Sequence, residues 1–230
     1  MSDRLHSWNV NETEAVAIQD RLAEKIILTN GFGRITSVAG CDVAYDLSSG
    51  KAFAAVCVFS WPELSKIDEV AAITDITFPY VPGLLAFREG PPLLKTFKLL
   101  AEKPTLVLFN GQGIAHPRRM GLATHLGIIM DMPSIGCARE NLHGQYSLPE
   151  NHKGAYSEIT DGTEIIGACL RTQKNIKPVF VSQGFKTDLD TAIRIILACT
   201  TRYKMPEPLR AANMTAGERR KRWPVYPGHH

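Results

Sequence analysis

A chain of 230 residues, 44% hydrophobic and 21% charged, has the length and balance of one globular domain that can bury a substantial core. No stretch approaches the roughly eighteen apolar residues of a membrane helix, and the opening MSDRLHSWNVNETEA lacks a basic segment followed by an apolar run, so a soluble cytoplasmic protein is expected. A net charge of +3 is too small to indicate nucleic acid by itself, and Cys41, Cys57, Cys137, Cys169 and Cys199 show no CxxC spacing, which argues for reduced packing residues against a zinc site or a disulfide framework.

In chain order, the first predicted element is a helix. Asn11 and Glu14 have the spacing of a capping box, and Ala15, Ile18, Leu22 and Ile26 follow at helical intervals towards Asn30-Gly31. Three β-type runs come next, SVAGCDVAY, AFAAVCVFS and KIDEVAAITDI, separated by Ser48-Ser49-Gly50 and by the turn around Pro62, which reads as an antiparallel meander. Past the loop TFPYVPG, the segment PPLLKTFKLLAEK is helix-periodic, with Pro91 and Pro92 suited to its start. TLVLFN is apolar throughout, as expected of a strand covered on both faces, and it runs into the glycine-rich GQGIAHPRRMG. A helix from Thr124 to Met130 and a strand SIGCA lead to a polar stretch from Glu140 to Asp161, expected to be loops. EIIGACLR and PVFVSQG are expected to pair as strands. Asp188 caps a last packed helix reaching Cys199, and PEPLR and RRKRW trail beyond it, with a basic tail at about 214–230. A meander followed by strands alternating with helices predicts an α/β fold: one RNase H-like mixed β-sheet flanked by helices, a single domain over residues 1–230.

Hard oxygen ligands converging at strand ends or helix starts could hold a divalent ion. Asp42 interrupts the apolar strand GCDVAY, where an unpaired buried carboxylate would be costly, so a metal or a strong donor would satisfy it; on an alternating strand it could equally face solvent. Glu89 in AFREGPP is placed just before a helix, as a ligand or as an acid favoured by the helix N-terminus.

The strings TFPYVPGLLAFREGP and GQGIAHPRRMGLATHLG, with VAGCDVAY, PSIG, EIIG, PVFVSQG and MPEPLR in the same order, resemble the segments of the endonuclease V family along nearly the whole chain. The resemblance implies an RNase H-like sheet whose carboxylates bind Mg²⁺, with Mn²⁺ as a usable substitute. It also implies that water cuts the second phosphodiester bond 3′ to a deoxyinosine in DNA, with inosine-containing RNA as a further possible substrate and a monomer as the working unit. Asp42, Glu89 and Asn110 occupy the metal positions, and Arg139 would stand beside the water or phosphate. Four positions depart from the pattern. Asn110 replaces the acid of Asp-Gly-x-Gly, Arg139 a lysine, Phe185 the histidine ending VSxGH, and Asn213 a histidine or acid. An amide at 110 removes a negative charge and should weaken the metal, and a guanidinium is a poor substitute for a positioned ammonium. A relative that recognises inosine and has lost much of its cleavage is therefore the alternative reading.

For the substrate, Tyr80 in Pro79-Tyr80-Val81-Pro82 resembles the family's wedge, an aromatic ring on a stiff loop that replaces the stacking of a flipped base. Gly83, Leu85, Gly111, His116, Leu122 and Ala138 match the positions that line or support the hypoxanthine pocket, and Arg88, Arg118 and Arg119 are placed as phosphate contacts. Arg219, Arg220, Lys221 and Arg222 read most simply as a solvated tail.

Overall fold

The computed structural model describes residues 5–223. One eight-stranded mixed sheet runs through it in the order β3-β2-β1-β4-β5-β8-β7-β6. Strands β1 (Ser37–Asp46), β2 (Lys51–Ser60) and β3 (Lys66–Asp75) form the expected antiparallel meander, and β4 (Leu106–Phe109) and β5 (Ser134–Ala138) add to β1 in parallel. Strands β6 (Tyr156–Asp161), β7 (Glu164–Leu170) and β8 (Val179–Phe185) complete the sheet by antiparallel pairing, β8 lying beside β5.

All four residues of β4 are buried, because alternate side chains enter different cores. Val107 and Phe109 pack with α2 (Leu85–Phe97) and α3 (Leu122–Met130), whereas Leu106 and Leu108 pack with α4 (Leu189–Ala198) and with Leu209 of α5 (Glu207–Lys221). Helix α1 (Glu12–Ala23) covers α3 through Ala15, Ile18 and Leu22. Its capping box is complete: Asn11 Oδ1 accepts the Glu14 N–H at 2.9 Å, and Glu14 Oε2 accepts the Asn11 N–H at 2.9 Å. Asp188 caps α4 by accepting the Thr191 N–H at 2.7 Å. The five cysteines are buried free thiols.

Several expectations are corrected. Helix α1 stops at Ala23, short of Asn30. Helix α2 begins six residues before the proline pair, so Pro91 and Pro92 lie inside it and Glu89 is on the helix, not ahead of it. An interior proline costs roughly 3 kcal/mol; burial of Ala86, Phe87, Leu93 and Leu94 in the cores offsets that cost and keeps the helix continuous. The polar stretch before Asp161 contains β6, an edge strand in which only Ile159 is fully buried. The described part of the supposed tail is helix α5, which buries Pro208, Leu209, Ala212 and Ala216; residues 224–230 lie outside the described residues.

Helix α5 docks at Gly40, where an added Cβ would fall 2.2 Å from the Pro208 carbonyl carbon and 2.4 Å from the Leu209 nitrogen. Backbone on both sides leaves nothing flexible to yield. Gly40→Ala is expected to lower unfolding free energy by about 1–3 kcal/mol or more, measured by urea denaturation.

On the opposite side, buried His125 stacks on Trp8 and meets His6 Nε2 through its own Nε2 at 2.8 Å. His6 Nδ1–H donates to the Ser7 carbonyl at 2.7 Å, so in the neutral pair His125 Nε2–H is the donor and its buried Nδ1 has no partner among the described residues. Burial, and then the charge of His6, pull the His125 pKa from 6.5 down to about 3. An unfolded histidine binds a proton below its ordinary value while the folded one does not, so stability is lost as pH falls below 6.5 towards about 3. Urea midpoints across that range should fall with acidification, and less steeply in His125→Phe.

Candidate active site

Parallel pairing of β1 with β4 sets Cys41 against Phe109, so Asp42 and Asn110 follow side by side at the sheet's edge of the cavity. Asn110 Nδ2–H donates to Asp42 Oδ1 at 3.0 Å. From α5, Asn213 Nδ2–H donates to the other oxygen, Oδ2, at 2.5 Å. Asp42 is only 6% exposed, and burial raises its pKa, opposed by the two amide hydrogen bonds and by the charge of Arg139. Glu89 is buried on α2, and its pKa is pushed up to about 8 by burial and then by the negative charge of Asp42.

Among the described residues no three His, Cys, Asp or Glu side chains gather to hold a metal. Two carboxylates remain, and Mg²⁺ is usually held by one or two carboxylates completed by water and substrate phosphate. The donor set of Asp42, Glu89 and Asn110 fits a divalent ion once Asn110 turns its carbonyl oxygen, in place of its N–H group, towards it.

Beside this centre lies a cavity of ≈ 430 Å³, within the roughly 300–1,000 Å³ of small-ligand sites. It is lined by Tyr80, Gly83 and Leu85 from the loop before α2 and that helix's start, by Asn110, Gly111, His116 and Leu122, and by Ala138 and Arg139 at the end of β5. Tyr80 is 70% exposed at the mouth. Gly83 has φ 80°, a left-handed conformation that favours glycine, and this turns its carbonyl inward. That one oxygen accepts from Gln19 Nε2–H at 3.0 Å, His116 Nε2–H at 2.9 Å and an Arg118 guanidinium N–H at 3.1 Å.

The structure thus brings together Asp42 and Asn110, places Glu89 within their electrostatic reach, and gathers the expected pocket positions around one cavity. Several expected residues are engaged inside the protein. His116 has both ring nitrogens engaged, since Nδ1 accepts the Arg118 N–H, and its pKa is drawn down to about 4, mainly by burial. It is a neutral support for the Gly83 loop. Arg88, expected at a phosphate, is buried: it donates to the Phe78 carbonyl at 2.8 Å and lies over the Tyr45 ring at 4.3 Å. Arg118 is tied to Gln19 Oε1 at 2.7 Å, and Arg119 to Asp161 and Glu164 at 2.8 and 2.7 Å. Of the four departures, Asn110 and Asn213 meet at Asp42 and Arg139 lines the cavity. Phe185 is 5% exposed and packs with Met120 and Ile128, away from the carboxylates, so these positions do not surround one site.

Two residues had no signal in the sequence. Gln19 is completely buried and its amide joins the Gly83 and Met120 carbonyls to Arg118. Gln112 lines the cavity and anchors its Nε2–H on the Glu140 carbonyl at 2.9 Å. Both are ordinary polar residues until the fold surrounds them.

The family model described as Endonuclease V matches residues 20–214. Among relatives, the protein named Endonuclease V from Methanothrix thermoacetophila is 45% identical over 94% of this chain and 95% of its own length. The crystal structure of the endonuclease V from Streptomyces avermitilis aligns with a TM-score of 0.88 at 40% identity, covering 94% of this chain and 95% of that one. The Ciona intestinalis endonuclease V, solved with a 24mer DNA containing an inosine followed by a ribo-adenosine, aligns at 0.80 and 29% identity, covering 91% and 97%. With a sheet of the same RNase H-like kind, a family match across most of its length and relatives well above 30% identity, this chain belongs to the endonuclease V family.

Proposed function

We propose that this chain recognises deoxyinosine in DNA and hydrolyses the second phosphodiester bond on its 3′ side, working as a cytoplasmic monomer. The observation carrying this reading is the cavity beside Asp42, walled by the pinned Gly83 loop with Tyr80 exposed at its mouth. A flipped hypoxanthine would enter the cavity, and Tyr80 would take its place in the stack. Gly111 lets backbone approach the base closely, and hypoxanthine's N1–H donor and O6 acceptor distinguish it from adenine. Asp42, Glu89 and the Asn110 carbonyl would hold Mg²⁺ or Mn²⁺, which supplies charge stabilisation at the phosphate and a more acidic water. Arg139, exposed among the residues that line the cavity, would neutralise the phosphate as a fixed charge. A binder without cleavage is the second reading, and the amide contacts to both Asp42 oxygens support it; the naming of relatives as endonucleases supports cleavage.

Strands carrying one inosine in DNA, one in RNA, or none, incubated with Mg²⁺ and with Mn²⁺, test the proposal. Nicking confined to inosine-containing DNA and mapped to the second 3′ bond is expected. Equal cutting of undamaged DNA would refute lesion recognition, cutting only in RNA would reassign the substrate, and binding without nicking would select the second reading.

Tyr80→Ala should weaken inosine binding by about five- to a hundredfold, the equivalent of the roughly 1–3 kcal/mol of one aromatic–base stack. Fluorescence anisotropy against an undamaged control would measure it. Gln19→Leu removes donors from two buried carbonyls and a partner from Arg118. A loss of roughly 1–3 kcal/mol in stability by urea denaturation is expected, together with weaker inosine binding, since the Gly83 carbonyl loses one of its three donors.

A further inference from the structure

The two asparagines at Asp42 come from distant parts of the chain, one at the end of β4 and one on α5, and each takes a different oxygen of the same carboxylate. An N–H and a cation both present positive charge to a carboxylate, so a donor on each oxygen leaves it fewer free lone pairs and less negative potential for an ion. We infer that Asn110 and Asn213 form an amide clamp that competes with the divalent ion for Asp42, so that Asn213 opposes cation binding in this chain instead of contributing a ligand.

The inference rests on the proposed reading of Asp42 as a cation ligand. Asp42 is nearly buried, and in the absence of an ion the two amides are the leading groups that satisfy its charge, joined by a backbone hydrogen bond at Val43 and the charge of Arg139. Releasing them is part of admitting the ion. Removing Asn213 takes away a competitor and adds no charge, which makes the expected effect opposite to that of deleting a ligand.

The experiment is a Mn²⁺ titration of the full chain without nucleic acid, following free Mn²⁺ by electron paramagnetic resonance. Proteins compared are wild type, Asn213→Ala, Asn110→Asp and the double variant. Alanine is a better helix former than asparagine, so α5 is retained, and circular dichroism checks this. Asn213→Ala should bind Mn²⁺ about tenfold or more tightly than wild type, given that a hydrogen bond to a charged group is worth about a factor of ten or more. The same tightening is expected when Asn213→Ala is added to Asn110→Asp. Equal or weaker Mn²⁺ binding on removal of Asn213 in both backgrounds overturns the clamp and leaves Asp42 as a ligand. No Mn²⁺ binding by any of the four proteins overturns the clamp together with the assignment of Asp42.

Discussion

A carboxylate buried in the middle of an apolar strand must be answered by something, and in this protein Asp42 organises the elements around it. Two of them reach it directly: the end of β4 through Asn110 and α5 through Asn213. A third, α2, places Glu89 where burial, and then the negative charge of Asp42, push its pKa up to about 8. The centre is therefore low in net negative charge, unlike a site built from three ionised carboxylates. Its surplus hydrogen-bonding capacity is taken up by two amides, of which Asn110, facing the other way, could present oxygen.

The wall of the cavity depends on a different device. Three donors converge on the Gly83 carbonyl, and they arrive from α1, from the glycine-rich turn after β4 and from Arg118 beyond it. A loop that ends in such a hub loses the freedom that a proline-rich stretch on the surface would otherwise keep, which is what an aromatic wedge requires. The arginines near the site serve this stiffness. Arg88 and Arg118 spend their hydrogen bonds inside the protein, on the Phe78 carbonyl, Gln19 and the Gly83 carbonyl. Arg139 is an exposed positive group among the residues that line the cavity.

Close backbone packing connects the two devices. Gly40 lets α5 reach the sheet, and the same contact delivers Asn213 above Asp42 about one turn further along the helix. Gly113 plays a similar part next to β8, where an added Cβ would come within 1.9 Å of the Gln183 carbonyl oxygen, so the glycine-rich turn is held against the strand and cannot slide away from the cavity.

The sequence by itself determined the meander, the buried β4 and the capped α1 and α4, because each leaves a local mark, an alternation, an apolar run or a cap; Asp42, Glu89 and Asn110 were grouped by the family resemblance, and the pairing of β1 with β4 sets Asp42 beside Asn110. The hairpin joining β6 to β7 also left one, Asp161-Gly162 with Gly162 at φ 62°, but the charged residues of an exposed edge strand masked it. Helix α5 was hidden similarly: Leu209, Ala212 and Ala216 have helical spacing, yet the segment is polar and its small buried side chains suit a close approach to the sheet. Only the tertiary structure decided that Arg88 and His116 are supports, that Phe185 belongs to a core, and that Asn110 and Asn213 share Asp42. The reason is physical: the role of a polar side chain depends on which donors and acceptors surround it, and those partners are brought together from residues as far apart as Asp42 and Asn213.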